Sequence, residues 1–224
     1  IMASSISAAN EIVNYFTTLP ILELIAVAAS LLYVLLAAKG NIWCWPAAIL
    51  STVLYTVIFY DVYLLMDSAL QLYYLLMAVY GWFCWQKNIK SKKNTAKALL
   101  YSQWTIQRHS SIILALTLLS LALGWLIANY TPAHFPYLDS ATTVFAVFAT
   151  YLVTQKVLEN WLYVIVIDFV SIYLYIEKSL VPTAALFSVY VVLAGYGYWQ
   201  WRKQYKLQFN QDQSELYSRH SVTG

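Results

Sequence analysis

The sequence predicts an all-α integral membrane protein with seven transmembrane helices. Of its 224 residues, 61% are hydrophobic and only 10% are charged, whereas soluble domains carry about 25% charged residues. The apolar residues form runs that are long enough for helices to cross a bilayer core of about 30 Å. Strands of a membrane barrel need only about 10 residues each, so the spacing of these runs favours helices.

The seven spans follow one another between residues 21 and 203. Runs without Asp, Glu, Lys or Arg predict four helices, within 40–60, 68–86, 109–138 and 179–201. Shorter or interrupted runs predict three more, at 21–38, 139–155 and 159–177. The N-terminal segment, residues 1–20, lacks the basic start of a signal peptide, and its residues 8–20 predict at most a short helix at the membrane.

The spans form two triplets that resemble each other. The first triplet occupies 21–86, a basic loop follows at 87–110, a linker helix at 111–130, the second triplet at 139–203 and a tail at 204–224. At an offset of 116 residues, Trp45, Tyr74, Gly81 and Trp85 fall on Trp161, Tyr190, Gly197 and Trp201, and with a one-residue gap Lys39 falls on Lys156. Because the linker helix returns the chain to its starting side, the sequence predicts a 3+1+3 parallel repeat. In such repeats the substrate site lies near the midplane, at the interface of the two halves.

The basic residues predict the orientation. An outside N-terminus and a cytoplasmic C-terminus put twelve of the thirteen Lys and Arg residues on the inner side and leave only Lys178 outside. The positive-inside rule therefore selects this orientation. The net charge of +3 is then a consequence of topology, and no nucleic-acid partner is predicted.

Asp168 is the most informative single residue, because it interrupts an otherwise uncharged run at 160–176. A carboxylate at that depth costs at least about 2.5 kcal/mol to insert, so it should face a partner, a cavity or a substrate. We predict a binding site; the alternative is a structural hydrogen bond to a neighbouring helix. Asp168 falls opposite Thr52 in the first triplet, which makes the predicted pocket asymmetric.

The start of the same helix, at Glu159, Asn160 and Trp161, is predicted to contribute to this pocket. Asp168 follows Trp161 by seven residues, so both project from one helical face, about 10 Å apart along the axis. An aromatic ring below a carboxylate suits a cation carried on a flat ring. The alternative role for Trp161 is an anchor at the membrane interface.

Other polar residues are expected at similar depth. Asp67, Gln71 and Tyr74 share one stripe of the third helix through spacings of four and three. Ser188 and Tyr190 lie at a comparable depth on the last helix. A buried Gln needs a hydrogen-bonding partner, whereas Asp67 has the alternative of a solvated position near the outer surface. These five residues complete the predicted substrate-binding set.

Motifs for catalysis are absent from the sequence. It contains no His-Glu-x-x-His helix, no Gly-x-Ser-x-Gly elbow and no phosphate-binding Gly-x-x-x-x-Gly-Lys loop. Cys44 and Cys84 form no Cys-x-x-Cys pair. We therefore expect no enzymatic activity, no cofactor and no metal, and any transport is not driven directly by ATP.

The segment 157–168, with its Glu-Asn-Trp start, resembles the Pnu family of bacterial vitamin transporters, as do Leu70-Gln71, Tyr80-Gly81-Trp82 and Tyr196-Gly197. The resemblance extends from about residue 20 to residue 203. It implies seven helices in a three-one-three arrangement, similar to a full-length SWEET transporter, in the bacterial inner membrane. It also implies facilitated diffusion of a non-phosphorylated vitamin that a cytoplasmic kinase then traps.

Within the family, the nicotinamide riboside branch (PnuC) carries a Trp-x-x-Trp-x-x-x-Asn motif on the sixth helix. This sequence matches its first Trp at Trp161 but has Val164 and Asp168 at the other two positions. The resemblance therefore favours the thiamine-transporting branch (PnuT), with nicotinamide riboside as the alternative. Two other classes stay open: a SWEET-like sugar carrier and a membrane scaffold that moves no solute. A homo-oligomer also stays open.

Overall fold

The structure is a computed structural model that describes residues 21–61, 63, 65–94 and 101–222. These residues form seven helices: α1 (Ile21–Ala38), α2 (Cys44–Asp61), α3 (Leu65–Asn94), α4 (Ile106–Tyr130), α5 (Pro136–Thr154), α6 (Asn160–Glu177) and α7 (Val181–Val222). The predicted all-α class and the number of helices are confirmed. Within this part of the chain the only strand-like feature is an isolated parallel bridge between Ser102 and Val157.

Several helices extend beyond the apolar runs that predicted them. Helix α3 continues to Asn94, and α7 continues to Val222 through the tail predicted at 204–224. Neither extension contains Gly or Pro, so nothing in the backbone ends the helix where the hydrophobic segment stops. Residues 1–20, with the short helix predicted at 8–20, and residues 95–100 of the basic loop lie outside the described residues.

Five of the helices are long and apolar enough to cross a membrane by length and composition, namely α1, α2, α4, α6 and α7. Helices α3 and α5 are long enough, but polar residues lower their hydropathy, among them Gln71 in α3 and Thr142 in α5. Both are nevertheless integral parts of the bundle, because they pack against each other.

The six helices of the two triplets form a closed ring. Within the first triplet α1 packs on α2 and α2 on α3, and within the second α5 packs on α6 and α6 on α7. Between the triplets α1 packs on α7 and α3 on α5, while the linker helix α4 packs on α5 outside the ring. The two contacts between triplets are therefore equivalent, as expected for a parallel repeat with its axis along the bundle.

Backbone hydrogen bonds in the turn after α1 have counterparts in the turn after α5. The turn after α1 has a bond from the Gly40 N–H to the Ala37 carbonyl, and the turn after α5 has the same bond from Lys156 to Val153. Gly40 and Lys156 both adopt a positive φ, of 67° and 52°. The offset of 116 therefore holds without a gap, and the predicted match of Lys39 with Lys156 is wrong: Lys156 corresponds to Gly40.

The same correspondence holds at the other end of the bundle. Tyr63, after α2, has a φ of 60°, and Ser179, after α6, has a φ of 58°. The N–H of Tyr63 donates to the Tyr60 carbonyl and that of Ser179 donates to the Ile176 carbonyl. Residues other than glycine rarely adopt a positive φ, so its repetition at equivalent positions indicates two copies of one supersecondary unit.

Four tryptophans close one end of the ring, and we call them the tryptophan layer: Trp45, Trp85, Trp161 and Trp201. The rings of Trp45 and Trp85 meet edge to face at 5.3 Å and 86°, and those of Trp161 and Trp201 meet at 5.4 Å and 86°. Trp85 and Trp201 lie 6.2 Å apart and join the two pairs. All four are buried, so the layer is a packed aromatic core that belongs equally to both triplets.

Candidate functional site

A cavity of about 740 Å³ lies inside the ring of helices. Its lining comes from all six ring helices, and no described residue of α4 takes part. The volume falls within the range of about 300–1,000 Å³ that is usual for small-molecule sites. The location, at the interface of two parallel repeats, is the one predicted from the sequence.

The cavity is exposed at one end and buried at the other. Asp67 and Leu180, at the starts of α3 and α7, are exposed lining residues. At the opposite end the lining consists of buried residues, among them Ala37, Trp45 and Trp161. Access therefore runs from the end where α1 begins, and the tryptophan layer closes the other end.

Asp168 lies on the wall of the cavity, and its side chain comes from the middle of α6. The residue is only 6% exposed, and no group of the described residues forms a hydrogen bond with its Oδ2 atom. Buried carboxylates are normally hydrogen-bonded or paired with a cation. The alternative of a structural bond to a neighbouring helix therefore finds no support at this oxygen, and Asp168 is instead one of the residues that line the cavity.

Asn160 and Trp161 begin α6 and line the buried end of the cavity. The Asn160 Nδ2 donates to the Val157 carbonyl at 2.8 Å, while its Oδ1 accepts no bond from the described residues. Trp161 is 3% exposed, so it is a core residue and not an interfacial anchor. Its Nε1 also lacks a bonding partner within the described part of the chain.

Four more of the predicted residues line the cavity: Asp67, Gln71, Tyr74 and Tyr190. The Tyr190 hydroxyl is 2.7 Å from the Ser30 hydroxyl, whose proton is committed to the Val27 carbonyl at 2.8 Å. Tyr190 therefore donates to Ser30, and the bond joins α7 to α1 across the interface between the triplets.

Two predicted site residues, Glu159 and Ser188, are not among those that line the cavity. The Glu159 carboxylate accepts the backbone N–H of Trp104 at 3.4 Å and lies 3.7 Å from Nε2 of His109. Ser188 is exposed and donates to the Ala184 carbonyl of its own helix at 2.9 Å. Side chains of adjacent helical residues point in different directions, about 100° apart. Sharing a depth with Asn160 or Tyr190 therefore does not bring these two residues onto the cavity face.

Trp45 lines the cavity, although it does not belong to the predicted substrate-binding set. It is 1% exposed, and none of the described residues accepts a hydrogen bond from its Nε1. The signal that identifies it is the repeat itself, because Trp45 corresponds to Trp161 at the offset of 116 residues. When a site lies on a pseudo-symmetry axis, the residue that corresponds to a site residue in the other repeat is itself a candidate for the site.

The charge of the lining has one sign. Three carboxylate residues line the cavity, Glu23, Asp67 and Asp168, and no Lys, Arg or His occurs among the lining residues that the structure describes. A narrow cavity with low-dielectric walls focuses such a field, which attracts cations and repels anions. The arrangement therefore suits a small organic cation and disfavours a phosphorylated solute.

Comparison with known proteins assigns the chain to a family. The sequence model described as "Nicotinamide mononucleotide transporter" matches residues 20–203. The nicotinamide riboside transporter PnuC of Escherichia coli is 22% identical over 205 residues, covering 80% of this chain and 84% of the relative. PnuC of Neisseria mucosa is 26% identical over 196 residues, covering 81% and 72%.

A more distant relative and a solved structure agree with these matches. The riboflavin/roseoflavin transporter RibM of Streptomyces davaonensis is 21% identical over 167 residues, covering 74% of this chain and 77% of the relative. The crystal structure of the vitamin B3 transporter PnuC superposes with a TM-score of 0.68 at 20% identity, covering 91% of this chain and 90% of that one. The fold is therefore shared with that protein.

Proposed function

The chain belongs to the nicotinamide mononucleotide transporter family, and from this premise we propose that it carries a non-phosphorylated, cationic vitamin through the central cavity. Movement is by facilitated diffusion, and a cytoplasmic kinase traps the vitamin after entry. The protein spans the bacterial inner membrane with its N-terminus outside, so the accessible end of the cavity faces outward and the tryptophan layer lies on the cytoplasmic side.

The observation that carries this proposal is the Asp168 carboxylate on the cavity wall. It is 94% buried, since its exposed fraction is 6%, and its Oδ2 lacks a protein partner among the described residues. A cationic ring bound beside it supplies the missing charge partner. The two other lining carboxylates, Glu23 and Asp67, add to the attraction for a cation and to the repulsion of a phosphate.

Nicotinamide riboside is the first candidate substrate. It carries a positive pyridinium ring and no phosphate, and two PnuC relatives bear its name. These relatives are named for nicotinamide riboside and RibM for riboflavin, so they support the nicotinamide riboside interpretation better than the thiamine interpretation favoured above.

Thiamine is the second candidate, because one specific observation favours it. Val164 and Asp168 both line the cavity and stand where the nicotinamide riboside motif has Trp and Asn. Val164 leaves more room than a Trp, and Asp168 adds a charge that an Asn lacks. Thiamine has a permanently charged thiazolium ring and an aminopyrimidine that donates to carboxylates.

Titration calorimetry on the purified full chain tests both candidates. We expect heat with nicotinamide riboside and none with nicotinamide mononucleotide, whose phosphate the acidic lining repels. Heat with thiamine but not with nicotinamide riboside would make thiamine the preferred substrate. Equal binding of nicotinamide mononucleotide, or binding of uncharged riboflavin only, would contradict the proposed selection for a non-phosphorylated cation.

A further inference from the structure

The closed end of the cavity carries three buried polar groups that have no partner in the described structure. They are Nε1 of Trp45, Nε1 of Trp161 and Oδ1 of Asn160, in residues that are 1%, 3% and 0% exposed. We propose that these groups form a neutral subsite for an amide-like edge of the substrate, in which a hydrogen-bond acceptor and an amino group lie side by side. This inference rests on the proposed function and adds to it the orientation of the bound vitamin.

The other two tryptophans of the layer provide an internal comparison. The Nε1 atoms of Trp85 and Trp201 donate to the carbonyls of Thr154 and Ala37, at 3.2 and 2.9 Å. Neither of these tryptophans lines the cavity. Within one aromatic cluster, the indole N–H groups of the two tryptophans that do not line the cavity are hydrogen-bonded, and those of the two lining tryptophans are not bonded to any described residue. Because buried polar groups in proteins are almost always paired, the pattern points to a ligand.

The three groups are also held in fixed positions. Trp45 packs against Gly81 and Trp161 against Gly197, where a Cβ atom would come within 2.6 Å of the Trp161 ring. The Nδ2 of Asn160 is fixed on the Val157 carbonyl, which leaves Oδ1 as the amide atom without a partner among the described residues. Groups that are ordered before binding lose little conformational entropy when the ligand arrives.

The donor and acceptor types define the ligand chemistry. Two indole N–H groups donate to an acceptor, and one amide oxygen accepts from an amino group. A primary carboxamide, as in nicotinamide, carries this combination, and so does the ring nitrogen beside the amino group of an aminopyrimidine, as in thiamine. Asp168 lies seven residues beyond Trp161 on α6, about 10 Å along the axis. The cationic part of the substrate therefore lies toward Asp168 and the amide-like edge lies against the tryptophan layer.

A double-mutant cycle between protein and ligand tests the subsite. Calorimetry measures the affinity of the wild-type protein and of Trp45→Phe for nicotinamide riboside and for pyridinium riboside, which lacks the carboxamide. A second pair, thiamine and oxythiamine, replaces the amino group by an oxo group and distinguishes the two sources of the edge. Trp43→Phe is the matched control, because Trp43 is 63% exposed and lies outside the cavity.

We expect Trp45→Phe to weaken the ligand with the intact edge about tenfold, since one neutral hydrogen bond to a buried group is lost. The truncated ligand should bind both proteins within about twofold, because the cycle isolates the interaction with that edge. An equal loss for both ligands, or no loss for either, overturns the subsite. If Trp45→Phe does not fold, the same cycle with Trp161→Phe decides. If the wild-type protein binds neither vitamin, it is the proposed function that fails.

Discussion

Trp85 and Trp201 join the two halves of the bundle through the same kind of hydrogen bond, in opposite directions. The indole of Trp85 in α3 donates to the Thr154 carbonyl at the end of α5, and that of Trp201 in α7 donates to the Ala37 carbonyl near the end of α1. The two residues correspond at the offset of 116 residues. Each triplet thus carries one tryptophan that is bonded to the first helix of the other triplet.

These two bonds hold the closed end together, so we expect Trp85→Phe and Trp201→Phe to loosen it. Trp85→Phe removes the indole donor of the buried Thr154 carbonyl, at a cost of about 1–3 kcal/mol. After Trp201→Phe the Ala37 carbonyl still accepts the Gly40 N–H, so the lost bond costs only about 0.5–1.5 kcal/mol. Cys44 is a natural reporter, because it is a fully buried free thiol in the same core. In a Cys84→Ser background, its rate of thiol labelling should rise in both variants. An unchanged rate would mean that the bonds do not control access to this end.

Asp168→Asn should weaken binding of the cationic vitamin more than it harms folding. The amide keeps the volume but removes the charge, and a lost charge-assisted contact costs about 1.5–3 kcal/mol, or roughly tenfold to a hundredfold in affinity. Without ligand, the melting temperature should hold or rise, because a buried charge has been removed. Calorimetry and thermal unfolding measure the two effects.

Asp139→Asn is the matched control for that change. Asp139 does not line the cavity, and its carboxylate pairs with Lys178 at 3.1 Å near the surface. Exposed ion pairs contribute about 0–1 kcal/mol, so both affinity and stability should stay close to the wild-type values. A melting temperature that falls sharply in Asp168→Asn, with affinity retained, would identify Asp168 as a structural residue.

Gly197→Ala should lower both stability and affinity, since the added Cβ meets the Trp161 ring at 2.6 Å. Overpacking of this kind costs about 1–3 kcal/mol. Gly195→Ala, two residues earlier on the same helix, has nothing within 4 Å of its added Cβ and should stabilise the helix by about 0.5–1 kcal/mol. Thermal unfolding of the two variants side by side checks the difference in sign. Equal behaviour would contradict the close packing of Trp161 on Gly197.

Glu159→Gln should leave the affinity for the vitamin within about twofold, because Glu159 does not line the cavity and so does not contact a ligand bound there. The amide oxygen still accepts the Trp104 N–H, while the negative charge 3.7 Å from Nε2 of His109 is removed. We therefore expect a small fall in melting temperature and an unchanged calorimetric titration. A tenfold loss of affinity would restore Glu159 to the binding site.

The helices, the repeat and the deepest polar residues can be predicted from the sequence, because each produces a visible pattern in it. Helices appear as long apolar runs, the repeat as matching residues at a constant offset, and buried polar residues as interruptions of an apolar run. A charge within an apolar run must face inward, and so Asp168 is found without a structure. Gln71 and Tyr190 follow the same logic, and all three line the cavity.

The direction in which each side chain points around its helix axis is harder to predict from the sequence. Depth in the membrane assigns Glu159 and Ser188 to the site, but their position around the helix axis turns them away from the cavity. Helix ends outside the bilayer are equally hard to predict. Helix α7 continues to Val222 through a polar segment, in which no regular spacing of apolar residues indicates a helix. Unpaired indole groups, such as that of Trp45, depend on contacts between helices that are distant in sequence.

The orientation of the two triplets has a consequence for the transport cycle. Repeats that insert in opposite directions can exchange conformations, and the exchange converts an outward-open state into an inward-open one. Here both triplets run the same way, so exchanging them returns the same face of the bundle to the same side of the membrane. The two ends of the cavity are accordingly unlike, with the tryptophan layer at one end and the lining carboxylate residues Glu23 and Asp67 toward the other. A vitamin that enters from outside therefore meets the two ends in one order, and a vitamin that leaves meets them in the reverse order.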